Sequence, residues 1–384
     1  MKKLIISLLL LISVSSCRFD FDYDELWGEH LKREYSQSFT ETFGTYGILN
    51  IDDSHNWGFT DFPEDTILFD TRSVNPNSNE WYVIPEDITS DERTYVENWF
   101  ATHKNPPTLS VNWSDYFVQQ VSGINYQMNK LIVSVDGKTK YDHIYNLNGA
   151  NGSIKLMQNS VSNYFGYHYS KDGKNHFKFT IQYLRDAFYV GFDAIATGNN
   201  ANQREDPDGY YNDWIIKITP CLPKDGVGKR IMVEDLGNIG DFDFNDVVFD
   251  CFIKYNKHNA NKTIGIVILR AAGGTMPLYI DGNEVHELFG VDVTHITNTD
   301  NKYEKIPVIF RLKNVRYSNP KEIPIFVKNT KEGINYYISA NQGEAPGKIC
   351  IPNTVEWADE RQNIRDKYPK FTLWIQDKTI NFWE

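Results

Sequence analysis

Four cysteines in 384 residues, at positions 17, 221, 251 and 350, are too few to staple a small scaffold, and 39 lysines and arginines against 51 acids leave the chain short of positive charge. If Cys17 is modified, the three others form at most one internal disulfide, so the fold must rest on an apolar core. Cys251 sits within the apolar run VVFDCFI and reads as a small packed side chain. The formal charge is −12. Such a surface repels phosphate backbones and argues against a nucleic-acid partner. The only long apolar run is at the N-terminus, and its length suits an export signal better than a bilayer span. No Gly-x-Ser-x-Gly elbow, Gly-Lys-Ser/Thr phosphate loop or dinucleotide glycine pattern occurs.

The first residues, MKKLIISLLLLISVSSC, combine a basic start at Lys2 and Lys3, the apolar stretch 4–11 and small residues before Cys17. This pattern resembles the lipobox of bacterial lipoproteins, which implies cleavage after residue 16, acylation of Cys17 and a membrane held through an N-terminal lipid. Without Lys2 and Lys3, 37 basic side chains face 51 acidic ones, a formal charge of −14. The following RFDFDYDE is similar to the surface-export signals of some outer-membrane lipoproteins, and equally reads as a solvated tether. The expected location is the outer membrane, facing the surface or the periplasm.

Residues 17–45 read as acidic tether and helix, because Leu26, Leu31, Tyr35 and Phe39 recur at helical spacing before Gly44. Within an N-terminal β-rich domain, 46–228, a second helix is expected near 90–103. Thr89 and Glu92 fit a capping box there, and Asn105-Pro106-Pro107 ends it. From Ser110 onward short period-two segments follow one another, which favours antiparallel pairing. A second β-rich domain is expected over 229–384, closed by a helix at TVEWADERQNIRDKYP and a strand at FTLWIQ. The expected fold is mainly β: two sandwich-like antiparallel domains with a few short helices.

The stretch EDLGNIGDFDFNDVVFD, Glu234 to Asp250, crowds acids at the start of an apolar strand, and REDPDGYYNDWIIKI, Arg204 to Ile218, echoes it. Both run Glu-Asp, polar turn, aromatic, Asn-Asp, apolar strand. Hard cations take several oxygen ligands, and alternating acids on a looped backbone supply them. The candidate ligands are Asp206, Asp208, Asn212 and Asp213 in the first copy and Asp235, Asp241, Asp243, Asn245 and Asp246 in the second. Asp241, Asp243 and Asn245 follow a one-three-five rhythm, but Asp246 stands where a calcium hand needs Gly and Phe252 where it needs Glu. The plainer alternative is a set of Asx turns among solvated acids. If the copies lie side by side, one calcium ion could serve both.

The second copy resembles the hallmark of the LruC-type domain family of exported bacterial lipoproteins, through Glu234, Asp235, Leu236, Gly240, Asp241, Asp243, Asn245 and Asp246. LRAAGGTMPLYIDGNEVHELFGV, Leu269 to Val291, is similar to the family's Gly-rich and Val-His-Glu-Leu-Phe-Gly segments, and EAPGKICIPNTVEWADERQNIRDKYPKFTLW to its C-terminal section. The resemblance covers about Lys229 to Glu384 and implies a β-rich cell-envelope protein with a calcium loop. It identifies no substrate.

EVHELFG is not a zinc helix, because Gly290 stands where a second His is needed, and His295 falls in DVTHIT, which reads as a strand. Trp81, Trp99, Trp113 and Trp214 could stack on sugars, although most Trp in a sandwich is core. The expected function is a non-catalytic, calcium-stabilised adhesion, assembly or recognition module with another surface protein as partner. The alternative is a glycan-binding surface protein of a polysaccharide system, or less readily a glycoside hydrolase using two carboxylates.

Overall fold

The computed structural model describes residues 27–44, 55–59, 83, 85–109, 115–123, 130–133, 143–146, 154–157, 177–194, 208–220, 222–223, 227–235, 237, 239–255, 263–300, 304–313, 317–329, 331 and 333–384. The expected export signal, Cys17, Trp81, Trp113, Asp206 and Cys221 lie outside them. Two helices come first, α1 (Trp27–Phe43) and α2 (Ser90–Thr102). The first strands are β1 (Asp115–Gly123), β2 (Lys130–Val133), β3 (His143–Asn146), β4 (Ile154–Met157), β5 (Phe177–Leu184), β6 (Ala187–Ala194) and β7 (Trp214–Pro220). They form an antiparallel sheet in the order β4-β1-β7-β6-β5 and a separate β2-β3 hairpin.

The second half contributes β8 (Val227–Val233), β9 (Val247–Lys254), β10 (Ile264–Ala272), β11 (Leu278–Ile280), β12 (Asn283–Glu284), β13 (Val308–Arg311), β14 (Ile325–Asn329), β15 (Ile334–Tyr337) and β16 (Lys348–Ile351). One sheet runs β13-β10-β9-β8-β16 and a smaller one β12-β11-β14-β15, all antiparallel. Three short helices complete it: α3 (Val285–Phe289), α4 (Ile364–Lys367) and α5 (Phe371–Gln376). The protein is mainly β, as its alternating pattern requires. Among the described residues, no helix is long and apolar enough to cross a membrane.

The two sheets of the second half share one core. Val247, Phe249, Val267 and Leu269 of the larger sheet meet Leu278, Ile280, Ile325 and Val327 of the smaller. Each such side chain contributes about 1.5–3 kcal/mol by leaving water. Tyr35, Phe39 and Phe43 of α1 belong to the same core, with Trp57 and Phe59. The helix expected as part of a tether is therefore docked on the second sandwich. Its aromatic i, i+4, i+8 row is the face that packs.

In the first half, α2 lays Val96 and Phe100 on Val121, Tyr189 and Ile215. The cap forms as read: Thr89 Oγ1 accepts from Glu92 N at 3.1 Å. Glu92 then pins helix to sheet, with Oε1 accepting from Tyr189 Oη and Lys217 Nζ, each at 2.6 Å.

Three local expectations are corrected. FTLWIQ is helix α5: Phe371, Trp374 and Ile375, at i, i+3 and i+4, are buried while Leu373 is 54% exposed. Of TVEWADERQNIRDKYP only 364–367 is helical, because the chain bends to bury Trp357 and turns through Arg361 at φ 59°. DVTHIT makes a single bridge, Thr297 to Ala272, and His295 lies in a turn, its amide bonded to Asp292 O.

A buried charge triad crosses β8, β9 and β10. Arg230 and Asp250 are register partners, with Arg230 Nε 2.8 Å from Asp250 Oδ1, and Arg270 Nε donates to Asp250 Oδ2 at 2.9 Å. Arg270 reaches inward from a bulge between Leu269 and Ala271. Removing the shared carboxylate strands two guanidinium groups. Asp250→Ala is therefore expected to cost about 3–5 kcal/mol in urea unfolding of the full chain, the range for breaking a buried pair from one side.

Candidate metal centre

The acidic stretch is the connection between the neighbouring strands β8 and β9. Its backbone departs from strand geometry at two aromatic residues: Phe242 has φ 50° and Phe244 φ 56°. A bulky residue in the left-handed region costs about 1–3 kcal/mol, and each ring offsets this by full burial. Phe242 packs edge-on against Tyr35, Phe39 and Phe43 at centroid distances of 5.3–5.5 Å, and Phe244 lies 5.9 Å from Phe371. With the even-numbered rings turned into the core, the odd-numbered carboxylates gather elsewhere. Ligand oxygens of Glu234, Asp241 and Asp243 lie within 4.8 Å of one another.

Backbone amides hold this group in place. Glu234 Oε1 accepts from Phe244 N. Asp243 accepts from Asn245 N at 3.1 Å through Oδ1 and from Arg361 N at 2.7 Å through Oδ2. Asp246 Oδ2 accepts from Asp235 N at 2.6 Å, and Asn245 Nδ2 donates to Ala358 O at 3.1 Å. The segment 358–361 thus closes the site from far along the chain. It brings Glu360, whose Oε2 is buried without a hydrogen-bond partner.

At this corner, two further buried oxygens have no hydrogen-bond partner: Asp235 Oδ2 and Asn245 Oδ1. Gly273 and Gly274, just past β10, run against them. A Cβ at Gly273 would come within 2.9 Å of Asn245 Oδ1, and one at Gly274 within 2.6 Å of Asp235 Oδ2, so the close approach requires glycine at both. Asp235 Oδ1 meanwhile accepts from Gly237 N.

The electrostatic consequence is uniform in sign. Desolvation first, then Asp246, Asp243 and Asp241, push Glu234 well above the usual carboxylate range. Desolvation and Asp235 do the same to Asp246, and Asp243 rises to about 7 from desolvation, with Asp241 and Glu360 adding repulsion. Asp235 and Glu360 are also raised, chiefly by burial. Buried like charges without matching cations favour either protons or a metal. The donors are all oxygen, the set that suits a hard divalent cation and not a thiolate- or imidazole-preferring one.

Of the residues expected from sequence, Asp241 and Asp243 enter the tight group, while Asp235, Asn245 and Asp246 stand beside it. Glu234, which belongs to the group, and Glu360, which lies near it, were not among the expected residues. Glu234 belonged to the quoted Glu-Asp pair, whereas Glu360, more than a hundred residues downstream, left no local signal. The first copy is built differently. Asp208 is exposed and its Oδ1 caps Tyr210 N at 2.8 Å, Asn212 is exposed, and Asp213 N bonds Phe192 O at 3.1 Å. Among the described residues, the three-carboxylate group includes none of them. Trp214 is buried, stacked on Phe192 at 4.6 Å, so it offers no sugar platform. Cys251 and Cys350 are buried free thiols. His286 is buried and bonded through Nδ1 to Glu284 Oε1 at 2.9 Å.

Comparison with models of protein families, curated protein sequences and solved structures returned no match.

The raised carboxyls set the sign of the pH response. Their folded pKa values exceed their unfolded ones, so their stabilising protonation is complete below about pH 4 and is lost as pH rises through the folded values, about 7 for Asp243. In chelator, Tm is expected to fall between pH 5 and pH 8, and Asp243→Asn to flatten that slope in scanning calorimetry.

Proposed function

We propose that the chain is a non-catalytic recognition or assembly module of the bacterial cell envelope, stabilised by a calcium ion held between β8 and β9. The observation that carries the cation is the pairing of the Glu234, Asp241 and Asp243 group with the buried, unpartnered Asp235 Oδ2 and Asn245 Oδ1. Calcium takes six to eight oxygens, and the three converging carboxylates with the neighbouring Asp235 and Asn245 are donors of the type it prefers, with water completing the set. The ion would neutralise repulsion that the fold otherwise meets with protons.

The envelope setting rests on the lipobox-like start before Cys17 and on the resemblance to the LruC-type domain family, whose hallmark contains these same residues. Extracellular calcium is abundant, so a weak site would be filled there. An anchored, cation-braced β module of this kind would present its loops to another surface protein or to a glycan.

A glycan reading has one specific observation in its favour, although not at the tryptophans. Tyr279, Phe326 and Tyr337 are register partners across β11, β14 and β15. Tyr279 and Phe326 stack at 5.0 Å, Phe326 and Tyr337 lie 5.3 Å apart, and Tyr337 is 55% exposed. Such a row suits the apolar faces of sugar rings. If it does bind them, a glycan array should return a ligand whose signal Tyr337→Ala abolishes; a blank array removes this reading.

The main proposal is tested by thermal unfolding in chelator and in millimolar calcium. Calcium at a hundredfold above its dissociation constant is expected to stabilise the chain by about 2.7 kcal/mol. Asp243→Ala/Asn245→Ala should lose that gain. An identical melt for wild type in both buffers would refute the calcium site.

A further inference from the structure

We infer that cation occupancy of the β8–β9 loop governs whether helix α1 stays docked on the second sandwich. The inference rests on the reading of that loop as a cation site and adds what the ion controls. The loop is a two-sided element. Asp241 and Asp243 face the ligand group, while Phe242, between them, is the residue that α1 packs around.

Three aromatic residues of α1 contact that one ring: Tyr35 at 5.4 Å, Phe39 at 5.5 Å and Phe43 at 5.3 Å. Phe242 holds this place only while its backbone stays at φ 50°, a conformation that unconstrained bulky residues avoid. The carboxylates on either side of it set that backbone. When a cation draws Glu234, Asp241 and Asp243 together, the ring is fixed; without the ion, protons relieve the repulsion but tie the three carboxyls to no common centre, and the ring is freed to move. Polar contacts run the same way. Arg365 Nη1 donates to Thr42 O at 3.0 Å from α4, and Ile364 N of the same helix donates to Phe242 O at 2.9 Å, so α4 grips both partners. A cleft of about 400 Å³ between α1 and the β15–β16 connection has Glu234 and Asp235 in its lining beside Glu29, Lys32, Arg33 and Ser36.

Helix α1 is poorly equipped to stand alone, since 17 residues of mixed charge are marginal as an isolated helix. Undocking it would therefore expose it to exchange and free a segment about 25 Å long even if helical. For a chain held at its N-terminus, the ion would then set how far the folded body stands from its anchor. Linkage makes the effect reciprocal: the factor by which calcium favours the docked helix is the factor by which docking raises calcium affinity, so a variant whose helix is undocked must bind calcium more weakly by that factor.

The test is hydrogen–deuterium exchange of the full chain in millimolar calcium and in chelator, with calcium binding measured in parallel by calorimetry. Peptides from 27–43 are expected to exchange at least about tenfold faster in chelator, within the roughly 5–150-fold range of site-to-site coupling, while β5 and β6 are unchanged. Calcium binding with equal exchange of 27–43 in both buffers would overturn the inference and leave the cation site standing. Absence of calcium binding would overturn both. As a second arm, Phe39→Ala, which removes a ring that packs on Phe242 and lies outside the carboxylate group, is expected to undock the helix and weaken calcium about tenfold; an unchanged affinity contradicts the coupling.

Discussion

Carboxylates brought together out of water repel one another, and the second sandwich is arranged around that constraint. Glu234, Asp235 and Asp243 are all nearly inaccessible, held by backbone amides and not by basic side chains, and the equally buried Asn245 donates to the Ala358 carbonyl. The amides come from the loop itself and from the distant 361 position, so the site exists only when β8, β9 and the C-terminal segment are assembled. The contrast lies on β9 itself, just past the loop. Asp250 is as buried as Asp243 but has Arg230 and Arg270 at hydrogen-bond distance. One buried acid has its counter-ions in the chain, whereas the loop acids are left for a proton or a metal.

The same loop explains why the beginning of the chain folds onto its end. Phe242 and Phe244 need aromatic neighbours for their left-handed backbone to be tolerated, and α1 and α5 supply them. Trp57 extends the arrangement, its carbonyl accepting from Cys350 N at 2.9 Å beside β16. The first sheet, 115–220, therefore lies in sequence between two parts of one core. A cut at residue 228 would separate the second sandwich from Tyr35, Phe39, Phe43, Trp57 and Phe59.

Much of this could be read from residue order. Strands such as DYFVQQVSG announce themselves by period-two alternation, and the Thr89 cap by its spacing to Glu92. The acidic loop was visible as a cluster, and Asp241 and Asp243 as its centre. Two kinds of feature were hidden. Helix α5 has β-prone residues whose i, i+3, i+4 burial becomes evident only once its neighbours are known. Glu360 and the docking of α1 depend on contacts across hundreds of residues, which no local spacing encodes. The echo at 204–218 shows how far a local pattern can differ in three dimensions, since its described part is built unlike the loop. Its local pattern matches the loop, but Asp208 and Asn212 face solvent, and Asp208 caps the amide of Tyr210.

The central claim is that a divalent cation replaces protons among these acids, and calorimetric titration of calcium near pH 7 in two buffers of different ionisation enthalpy tests it most directly. Because Asp243 is held near 7 and Glu234 and Asp246 well above the ordinary carboxylate range, binding must expel protons. The account predicts a binding heat that differs between the buffers, equivalent to release of about one proton or more per ion. A titration with no binding heat in either buffer, or with a heat that does not depend on the buffer, would contradict it.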